Sequence, residues 1–289
     1  MAKNLYNSCT FVSLNLKKMT QISILGCGWL GFPLAKRLIE KGYSVNGSTT
    51  SENKLSILEN AGIKPFLVAL ESESISESII DFLAESKILI IDIPPKLRSE
   101  NTDSEKKVFV EKIKNLIPFI EKSAIEKVLF ISSTSVYGDD NNLVTEETVP
   151  NPETESGKQL LLAEALLQNN PNFETTILRF GGLIGEDRHP VKFLAGKENI
   201  ENPDAPVNLI HQKDCIGIIE EIIKQSKWNE IFNAVASFHP TREEYYTQKA
   251  KDLNLVVPKF NNKKSNIKKT ISSGKIEIIL NYQFKLENY

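Results

Sequence analysis

The stretch Ile22-Ser23-Ile24-Leu25-Gly26-Cys27-Gly28-Trp29-Leu30-Gly31 decides the fold of this chain. It reads as an apolar strand, a turn with G-x-G-x-x-G spacing, and the start of a helix. The first glycine permits a tight turn, the second leaves the backbone open to a pyrophosphate, and the third lets the helix pack closely on the strand. The helix N-terminus then offers free N–H groups and a positive dipole end to phosphates. The turn predicts a dinucleotide site, with a purely structural glycine turn as the alternative. The predicted contacts are Gly26, Cys27, Gly28, Trp29, Leu30 and Gly31.

Strand-like and helix-like patterns alternate from residue 20 to about residue 237. The run Ile88-Leu89-Ile90-Ile91 is apolar on both faces, which is typical of a central strand covered on two sides. Between strands, Leu34, Leu38 and Ile39 share one helical face, and Gly42 follows as a stop. This alternation predicts an α/β protein with a doubly wound parallel sheet, the Rossmann fold. The predicted strands are 21–25, 43–48, 66–70, 87–93, 127–131, 175–180 and 230–235.

The same patterns predict the domain organisation. Met19 stands directly before the first strand, so we expect residues 1–18 to be a flexible N-terminal tail. Residues 19–182 are expected to form the Rossmann core, with 214–237 adding a helix and the last strand. A small C-terminal substrate lobe would comprise 183–213 and 238–289. Within it, the capping-box pattern Thr241-Arg242-Glu243-Glu244 predicts a helix toward Leu253.

Composition excludes several classes of protein. The 289 residues are 40% hydrophobic and 25% charged with a net charge of −2, so no basic excess favours nucleic acid as a partner. No apolar run approaches the ~20 residues of a membrane span, and residues 1–18 lack the apolar segment of a secretory signal. The few, scattered cysteines and histidines form neither a disulfide framework nor a metal-ligand pair. We therefore predict a soluble, cytoplasmic protein with no metal, no membrane association and no nucleic-acid partner. The oligomeric state stays open.

The residues after the second strand select the cofactor in a site of this kind. An Asp or Glu there would accept hydrogen bonds from the ribose 2′-OH of NAD. This chain instead reads Gly47-Ser48-Thr49-Thr50-Ser51, and its first acid is Glu52. Hydroxyl and N–H groups suit a 2′-phosphate, with Lys54 within reach, so NADP is predicted over NAD. The alternative is a polar turn that contacts nothing. The further predicted cofactor contacts are Ser48, Thr49, Thr50 and Ser51, together with Ile93 and Pro94 after the fourth strand.

A second segment, Phe130-Ile131-Ser132-Ser133-Thr134-Ser135-Val136-Tyr137-Gly138-Asp139, resembles the SS-x-x-VYG segment of the extended short-chain dehydrogenase/reductase family. That family contains nucleotide-sugar epimerases and dehydratases. The segments at 178–185, 208–214 and 232–234 are also similar to it, so the resemblance covers residues 20 to 289. Finer details, such as Arg188-His189-Pro190, are similar to the atypical YeeZ-type branch. The resemblance implies an NAD(P)-binding protein with oxidoreductase or epimerase-like activity.

One departure from the family affects the chemistry. The family places a Tyr four residues before a Lys on the helix after the VYG loop, where the Lys lowers the pKa of the Tyr. Aligned on Ala163-Glu164, these positions hold Ser156 and Leu160; a frame shifted to use Lys158 puts Thr154 in place of the Tyr. A serine hydroxyl has a much higher pKa than a tyrosine hydroxyl, and leucine cannot donate to a ribose. The usual proton-transfer pair is missing in either frame.

Three residues stay as catalytic candidates. Ser133 falls where the family has its substrate-polarising hydroxyl, although it could simply tie down the loop at the strand end. Tyr137 could serve as an acid, with core packing as the alternative. Lys158 could reach the pocket from the start of its helix, or it could be solvated.

The candidate substrate residues are mostly cationic. A basic loop follows Gly185, and a histidine occupies the family's "I-H-x-x-D" segment. Such charges over a dinucleotide site suit a phosphate or carboxylate. The alternatives are a solvated loop, a core hydrogen bond for the histidine, and Asp214 acting only as a helix cap. We expect an enzyme acting on a small anionic or sugar-derived substrate, or else a non-catalytic NADP(H)-binding sensor. The candidates are Ser156, Arg188, His189, Lys192, Lys197 and His211.

Overall fold

The computed structural model describes residues 20–72, 74–95, 108–139 and 142–285. The expected N-terminal tail lies outside the described residues. The strands in the described part are β1 (Gln21–Leu25), β2 (Ser44–Thr49), β3 (Lys64–Leu67), β4 (Ile88–Ile91), β5 (Lys127–Ser133), β6 (Leu143–Val144), β7 (Glu174–Phe180), β8 (Gly182–Ile184), β9 (Leu209–His211), β10 (Ile231–Ala234) and β11 (Thr270–Ile271). The helices are α1 (Gly31–Glu40), α2 (Leu55–Asn60), α3 (Ile79–Leu83), α4 (Val108–Glu121), α5 (Glu155–Gln168), α6 (Val191–Leu194), α7 (Gln212–Lys224), α8 (Arg242–Asp252) and α9 (Gly274–Ile279).

Seven of the described strands form one parallel sheet in the order β10-β7-β5-β4-β1-β2-β3. The strand order reverses between β1 and β4, and the carboxyl edge of an α/β sheet at such a point is where ligands bind. Leu25 pairs with Ile91 across these two strands, so the segments that follow them start side by side. The predicted doubly wound sheet is confirmed.

Apolar side chains of alternate strand positions pack against helices on both faces of the sheet. Ile90 belongs to the cluster that contains α1 and α7 residues, whereas Leu89 and Ile91 belong to the cluster with α3, α4 and α5. All of β4 is buried, which explains its continuous apolar sequence. All seven predicted core strands are present, with ends that differ from the prediction by a few residues at most.

A smaller third cluster lies beyond the sheet and joins β8, β9, α6 and α8 through Ile184, Val191 and Tyr245. The predicted capping box begins α8: Thr241 accepts from the Glu244 N–H, and the Glu244 carboxylate accepts from the Thr241 N–H. After α8 the chain packs on the central sheet again: Ile276 in α9 belongs to the core cluster that contains residues of α1, α7 and the sheet. α8 therefore belongs to the third cluster, whereas α9 packs on the core. Within the described ranges, no helix combines the length and apolarity needed to cross a membrane.

Candidate dinucleotide-binding cleft

The three glycines of the turn between β1 and α1 have three different environments. Gly26 has φ +108°, and a Cβ there would lie 2.3 Å from the carbonyl oxygen of Asp92. A Cβ at Gly31 would lie 2.2 Å from the Gly26 carbonyl oxygen. A Cβ at Gly28 would meet no atom within 4 Å. The first and third glycines are therefore required by packing, and the second leaves open space at the surface of the turn.

A cleft of about 280 Å³ lies beside this turn, at the carboxyl edge of β1, β2 and β4. Eight of the twelve predicted cofactor residues line it. Trp29, Leu30, Gly31 and Ser51 are outside the lining, and Leu30 is buried in the core. The predicted residues in the lining are Gly26, Cys27, Gly28, Ser48, Thr49, Thr50, Ile93 and Pro94, and the remaining lining residues are Leu25, Lys54, Val68, Leu70, Asp92, Pro95, Val108, Phe109 and Lys112.

The hydroxyl groups at the end of β2 and in the turn after it have different roles. Ser48 is buried, and its Oγ accepts a hydrogen bond from the Gly26 N–H at 2.9 Å, so it holds the glycine turn in place. Thr49 Oγ1 accepts from the Ser51 N–H at 3.1 Å, which shapes the turn itself. Thr50 is exposed at the cleft with Lys54 nearby in the lining. The polar groups available to a ligand on this side are therefore those of Thr50 and Lys54.

Two ionisable residues in the cleft were missed in the sequence. Lys112 reaches it from the first turns of α4, in a helix whose neighbouring residues Phe109 and Ile113 are buried. Asp92 follows β4 directly, and desolvation raises the pKa of its carboxyl group to about 7, opposed by a hydrogen bond from the Gly31 N–H. Asp92 could have been found from the sequence, because it is an acidic residue directly after an apolar central strand. The thiol of Cys27 is buried beside it, and burial together with the charge of Asp92 raises its pKa to about 12.

Trp29 connects the glycine turn to the segment after β8. Its indole Nε1 donates to Asp187 Oδ1 at 2.9 Å, and the Arg188 guanidinium lies 5.0 Å from the ring. A Cβ at Gly185 would lie 2.7 Å from the indole Cζ2, and Gln212 Nε2 donates to the Trp29 carbonyl at 2.6 Å. Arg188 therefore lies at the cofactor turn, where its exposed guanidinium has a cation–π partner.

Of the predicted basic cluster, Lys192 lies near Arg188, because the pKa of the Asp187 carboxyl group is lowered by the Trp29 hydrogen bond and by the charges of both cations. Lys197 and His189 have other surroundings. Lys192 Nζ donates to the Asp187 carbonyl at 3.2 Å on the surface. Lys197 is exposed, and its carbonyl oxygen accepts from the Lys259 N–H. His189 stacks on Tyr245 with Nε2 3.0 Å from the phenol oxygen, while its Nδ1 accepts from the Val191 N–H. Both ring nitrogens of His189 are occupied, so we assign it a structural role in the third cluster.

The protonation of His189 gives a testable consequence. Burial lowers the pKa of the imidazole to about 4, and the positive charges of Lys249 and Lys192 act in the same direction. The folded state thus binds fewer protons than the unfolded state, whose histidine has a pKa of about 6.5. Stability is therefore lost as pH falls from about 6.5 toward 4. We expect the urea midpoint of the protein to fall more between pH 7 and pH 5 than that of His189→Asn. Equal losses in the two proteins would contradict this assignment.

His211 and Asp214 both make structural hydrogen bonds at the start of α7. His211 Nδ1 accepts from the Lys213 N–H at 3.1 Å, so the histidine is the N-cap of α7. Asp214 is fully buried and accepts from the Tyr282 hydroxyl and the Lys285 N–H, each at 2.8 Å. Asp214 thereby fixes the C-terminal segment against α7 instead of only capping the helix.

Tyr137 lies inside a buried polar network and does not reach the cleft. Its hydroxyl accepts from Arg179 Nη1 at 2.6 Å and donates to Asn233 Oδ1 at 3.0 Å. Arg179 in turn donates to both carboxylate oxygens of Glu164, and their side chains are only 3% and 1% exposed. Burial raises the pKa of the Tyr137 hydroxyl. We therefore assign Tyr137 to packing, the alternative raised by the sequence, and not to proton transfer.

The comparisons with known proteins agree with this architecture. The chain matches the model of the NAD dependent epimerase/dehydratase family over residues 22–199, which is more than half of its length. It belongs to that family. It is also 36% identical over 262 residues to Protein YeeZ of Escherichia coli strain K12, covering 90% of this chain and 91% of that protein. The predicted family and its YeeZ-type branch are confirmed.

Solved structures of low sequence identity share the fold. A conserved protein of unknown function from Silicibacter pomeroyi superposes with a TM-score of 0.75 at 20% identity, over 94% of this chain and 95% of that one. UDP-glucuronic acid 4-epimerase from Bacillus cereus, solved with NAD, gives 0.76 at 16% identity over 92% of both chains. MoeE5 with UDP-glucose and NAD gives 0.74 at 16% identity over 92% and 93%.

The start of α5 is where this chain departs from the Tyr/Lys pattern described above for the family. Leu160 is buried in the core and cannot serve a ribose. Ser156 is half-buried on the first turn, next to Gly157, where a Cβ would lie 2.3 Å from the Ser135 carbonyl oxygen. α5 therefore begins directly against the loop that follows β5. Ser133, at the end of β5, accepts from the Ser135 N–H at 3.1 Å, and Lys158 is exposed. The contact between Gly157 and Ser135 brings the first turn of α5, with Ser156, to the loop that begins after Ser133, and the described residues at this contact include no Tyr/Lys pair.

Proposed function

We propose that this family member binds NADP in the cleft and acts as an oxidoreductase or epimerase-like enzyme on a small anionic or sugar-derived substrate. One arrangement carries the proposal. The open backbone at Gly28 shares the cleft with Lys54 and Lys112, which enter it from different elements. The end of β2 and the turn after it, residues 47–51, contain no acidic side chain.

The residues present fit a dinucleotide with a 2′-phosphate. The pyrophosphate would face Gly28 and the N-terminus of α1, where N–H groups and the helix dipole favour negative charge. Val68, Leu70 and Phe109 offer an apolar surface to the adenine. A phosphate monoester carries about −1.5 to −2 charge at pH 7, which two lysines can match. The neighbours MoeE5 and the Bacillus cereus epimerase were solved with NAD, so the preference for NADP is a proposal about this chain's own residues.

The chain's own groups define what the site can do. NADP, when bound, supplies the hydride acceptor, and NADPH the donor. In this proposal the Ser133 hydroxyl, at the end of β5, donates a hydrogen bond to a substrate oxygen, and Ser156 lies at the start of α5. The exposed Arg188 beside Trp29 provides a planar, permanently charged group for a phosphate or carboxylate. MoeE5 was solved with UDP-glucose and with UDP-glucuronic acid, which supports a sugar-derived anion as the substrate class.

The test of this proposal compares cofactors by thermal shift and by titration calorimetry. We expect NADPH to bind at least about tenfold more tightly than NADH, which corresponds to ~1.4 kcal/mol. Lys54→Ala and Lys112→Ala should each reduce that ratio, because each removes one cation from the 2′-phosphate without touching the pyrophosphate. Lys114→Ala is the matched control, since Lys114 lies on α4 but outside the lining of the cleft.

Equal binding of NADH and NADPH would contradict the assignment of NADP, and the hydroxyl groups at 48–51 would then have no role in cofactor selection. A ratio that survives both lysine substitutions would show instead that Lys54 and Lys112 do not select the 2′-phosphate.

A non-catalytic NADP(H)-binding sensor is the second candidate. It is favoured by two observations. Leu160, which takes the lysine position in the alignment on Ala163-Glu164, is buried, and the Tyr137 hydroxyl is held by Arg179 and Asn233. An enzyme should change NADPH absorbance with some member of a panel of nucleotide sugars and small carboxylates. A sensor should bind the cofactor and never turn over, and Ser133→Ala should then leave cofactor binding unchanged.

A further inference from the structure

Asp92 places a carboxyl group at the end of α1 that faces the cleft. It lines the cleft directly after β4, and its carboxylate accepts the Gly31 N–H. Its Oδ2 is 3.2 Å from the position a Cβ would take on Gly31. Gly31 is the first residue of α1, so this N–H belongs to the set that a helix leaves without an internal partner. The chain's own carboxylate therefore occupies part of the anion-attracting end of the helix.

The groups around Asp92 do not neutralise it. The thiols of Cys27, in the glycine turn, and Cys215, in α7, have pKa values raised by burial, so both are uncharged near neutral pH. Lys54, after β2, and Lys112, from α4, share the cleft lining with Asp92. No lysine or arginine in the described part of the chain forms an ion pair with it within 4.0 Å. Desolvation raises the pKa of the carboxyl group to about 7, so it is partly protonated at neutral pH.

We propose that Asp92 couples dinucleotide binding to a proton: the cofactor binds together with one proton, which this carboxyl group takes up. The inference rests on the proposed dinucleotide site. A bound pyrophosphate would bring further negative charge to the end of α1 that already holds Asp92. Two negative charges close together favour the neutral form of an acid. When Asp92 is protonated, the positive end of the α1 dipole interacts with the phosphates alone. The same residue therefore sets the pH range in which the cofactor binds.

The sign of the effect follows from this coupling. Affinity is greatest where Asp92 is already protonated and falls as pH rises through about 7. One coupled proton gives a slope of at most about tenfold in the dissociation constant per pH unit. The 2′-phosphate of NADPH has its own pKa of about 6 and acts in the opposite direction. NADH is therefore the cleaner probe, because its phosphates do not titrate in this range.

The experiment is calorimetric titration of the full chain with NADH at about pH 6 and about pH 8.5. We expect the dissociation constant to rise roughly tenfold across this interval. The binding enthalpy near pH 7 should also depend on the ionisation enthalpy of the buffer, with the sign of proton uptake. Asp92→Asn keeps an oxygen for the Gly31 N–H but cannot titrate, so its dissociation constant should vary little with pH. Asp81→Asn, on the exposed side of α3, is the matched control and should keep the wild-type slope.

Four outcomes would overturn the inference. The first is an Asp92→Asn protein with the wild-type slope, and the second is a wild-type enthalpy independent of buffer. The buffer experiment needs no variant, so it decides the matter even if Asp92→Asn does not fold. Tight binding of NADH without any pH dependence would remove this coupling and leave the proposed function intact. No binding of either cofactor at any pH would remove both.

Discussion

Gly28→Val is expected to abolish the stabilisation of this protein by NADPH and by NADH alike. A Cβ on Gly28 would have no neighbour within 4 Å, so a side chain there causes no steric clash in the folded protein. A valine would instead occupy the space through which the pyrophosphate approaches the backbone. At a concentration of about 100 times the dissociation constant, bound cofactor adds ~2.7 kcal/mol to the free energy of unfolding. The variant should lose all of it while keeping its cofactor-free melting temperature.

The control for this experiment is Gly274→Val. Gly274 is the first residue of α9, far along the chain from the cleft lining, and a Cβ there would have no neighbour closer than 3.4 Å. This variant should keep the full thermal shift with both cofactors. A normal shift in Gly28→Val would show that the dinucleotide does not bind at the glycine turn.

Glu164→Gln is expected to cause the largest loss of stability among single polar substitutions. Glu164 and Arg179 form a buried pair with side chains 1% and 3% exposed, and Arg179 also donates to Tyr137. Removing the carboxylate charge leaves the guanidinium buried without its counter-ion, which costs about 3–5 kcal/mol. The free energy of unfolding from urea titration measures this loss.

The matched comparison is Glu174→Gln at the other end of β5 and β7. Glu174 pairs with Lys127, but their side chains are 45% and 26% exposed. An ion pair of this kind contributes about 0–1 kcal/mol. If Glu164→Gln cost no more than Glu174→Gln, the buried network would not be what holds Tyr137, and the assignment of Tyr137 to packing would lose its support.

The elements of the sheet were predictable because their signals are local. The run Ile88-Leu89-Ile90-Ile91 indicated a strand buried on both faces, and β4 lies at the centre of the sheet. The spacing of Gly26, Gly28 and Gly31 indicated a strand, a turn and a helix in that order. Thr241 and Glu244 specified the start of α8 by a contact across a single helical turn. Each of these signals depends on residues within about ten positions of one another.

The rest of the site depends on contacts between distant parts of the chain. Lys112 is one of several lysines on a helix whose orientation is set by packing. Nothing in the local sequence therefore indicated that it lines the same cleft as Thr50. Four basic residues within ten positions suggested one anion site. The side chain of His189 instead meets Tyr245, which is 56 residues away. Asp214 likewise binds Tyr282 and Lys285, partners that only the return of the chain to α7 brings near.

The most direct test of the account is a crystal structure of the protein grown with NADP. We expect density for the pyrophosphate against the backbone of Gly28 and for the 2′-phosphate within hydrogen-bond distance of Lys54 and Lys112. Density for a dinucleotide whose 2′-phosphate points away from both lysines would contradict the preference for NADP. A dinucleotide bound elsewhere, or a cleft that stays without density at a saturating concentration, would contradict the cofactor site itself.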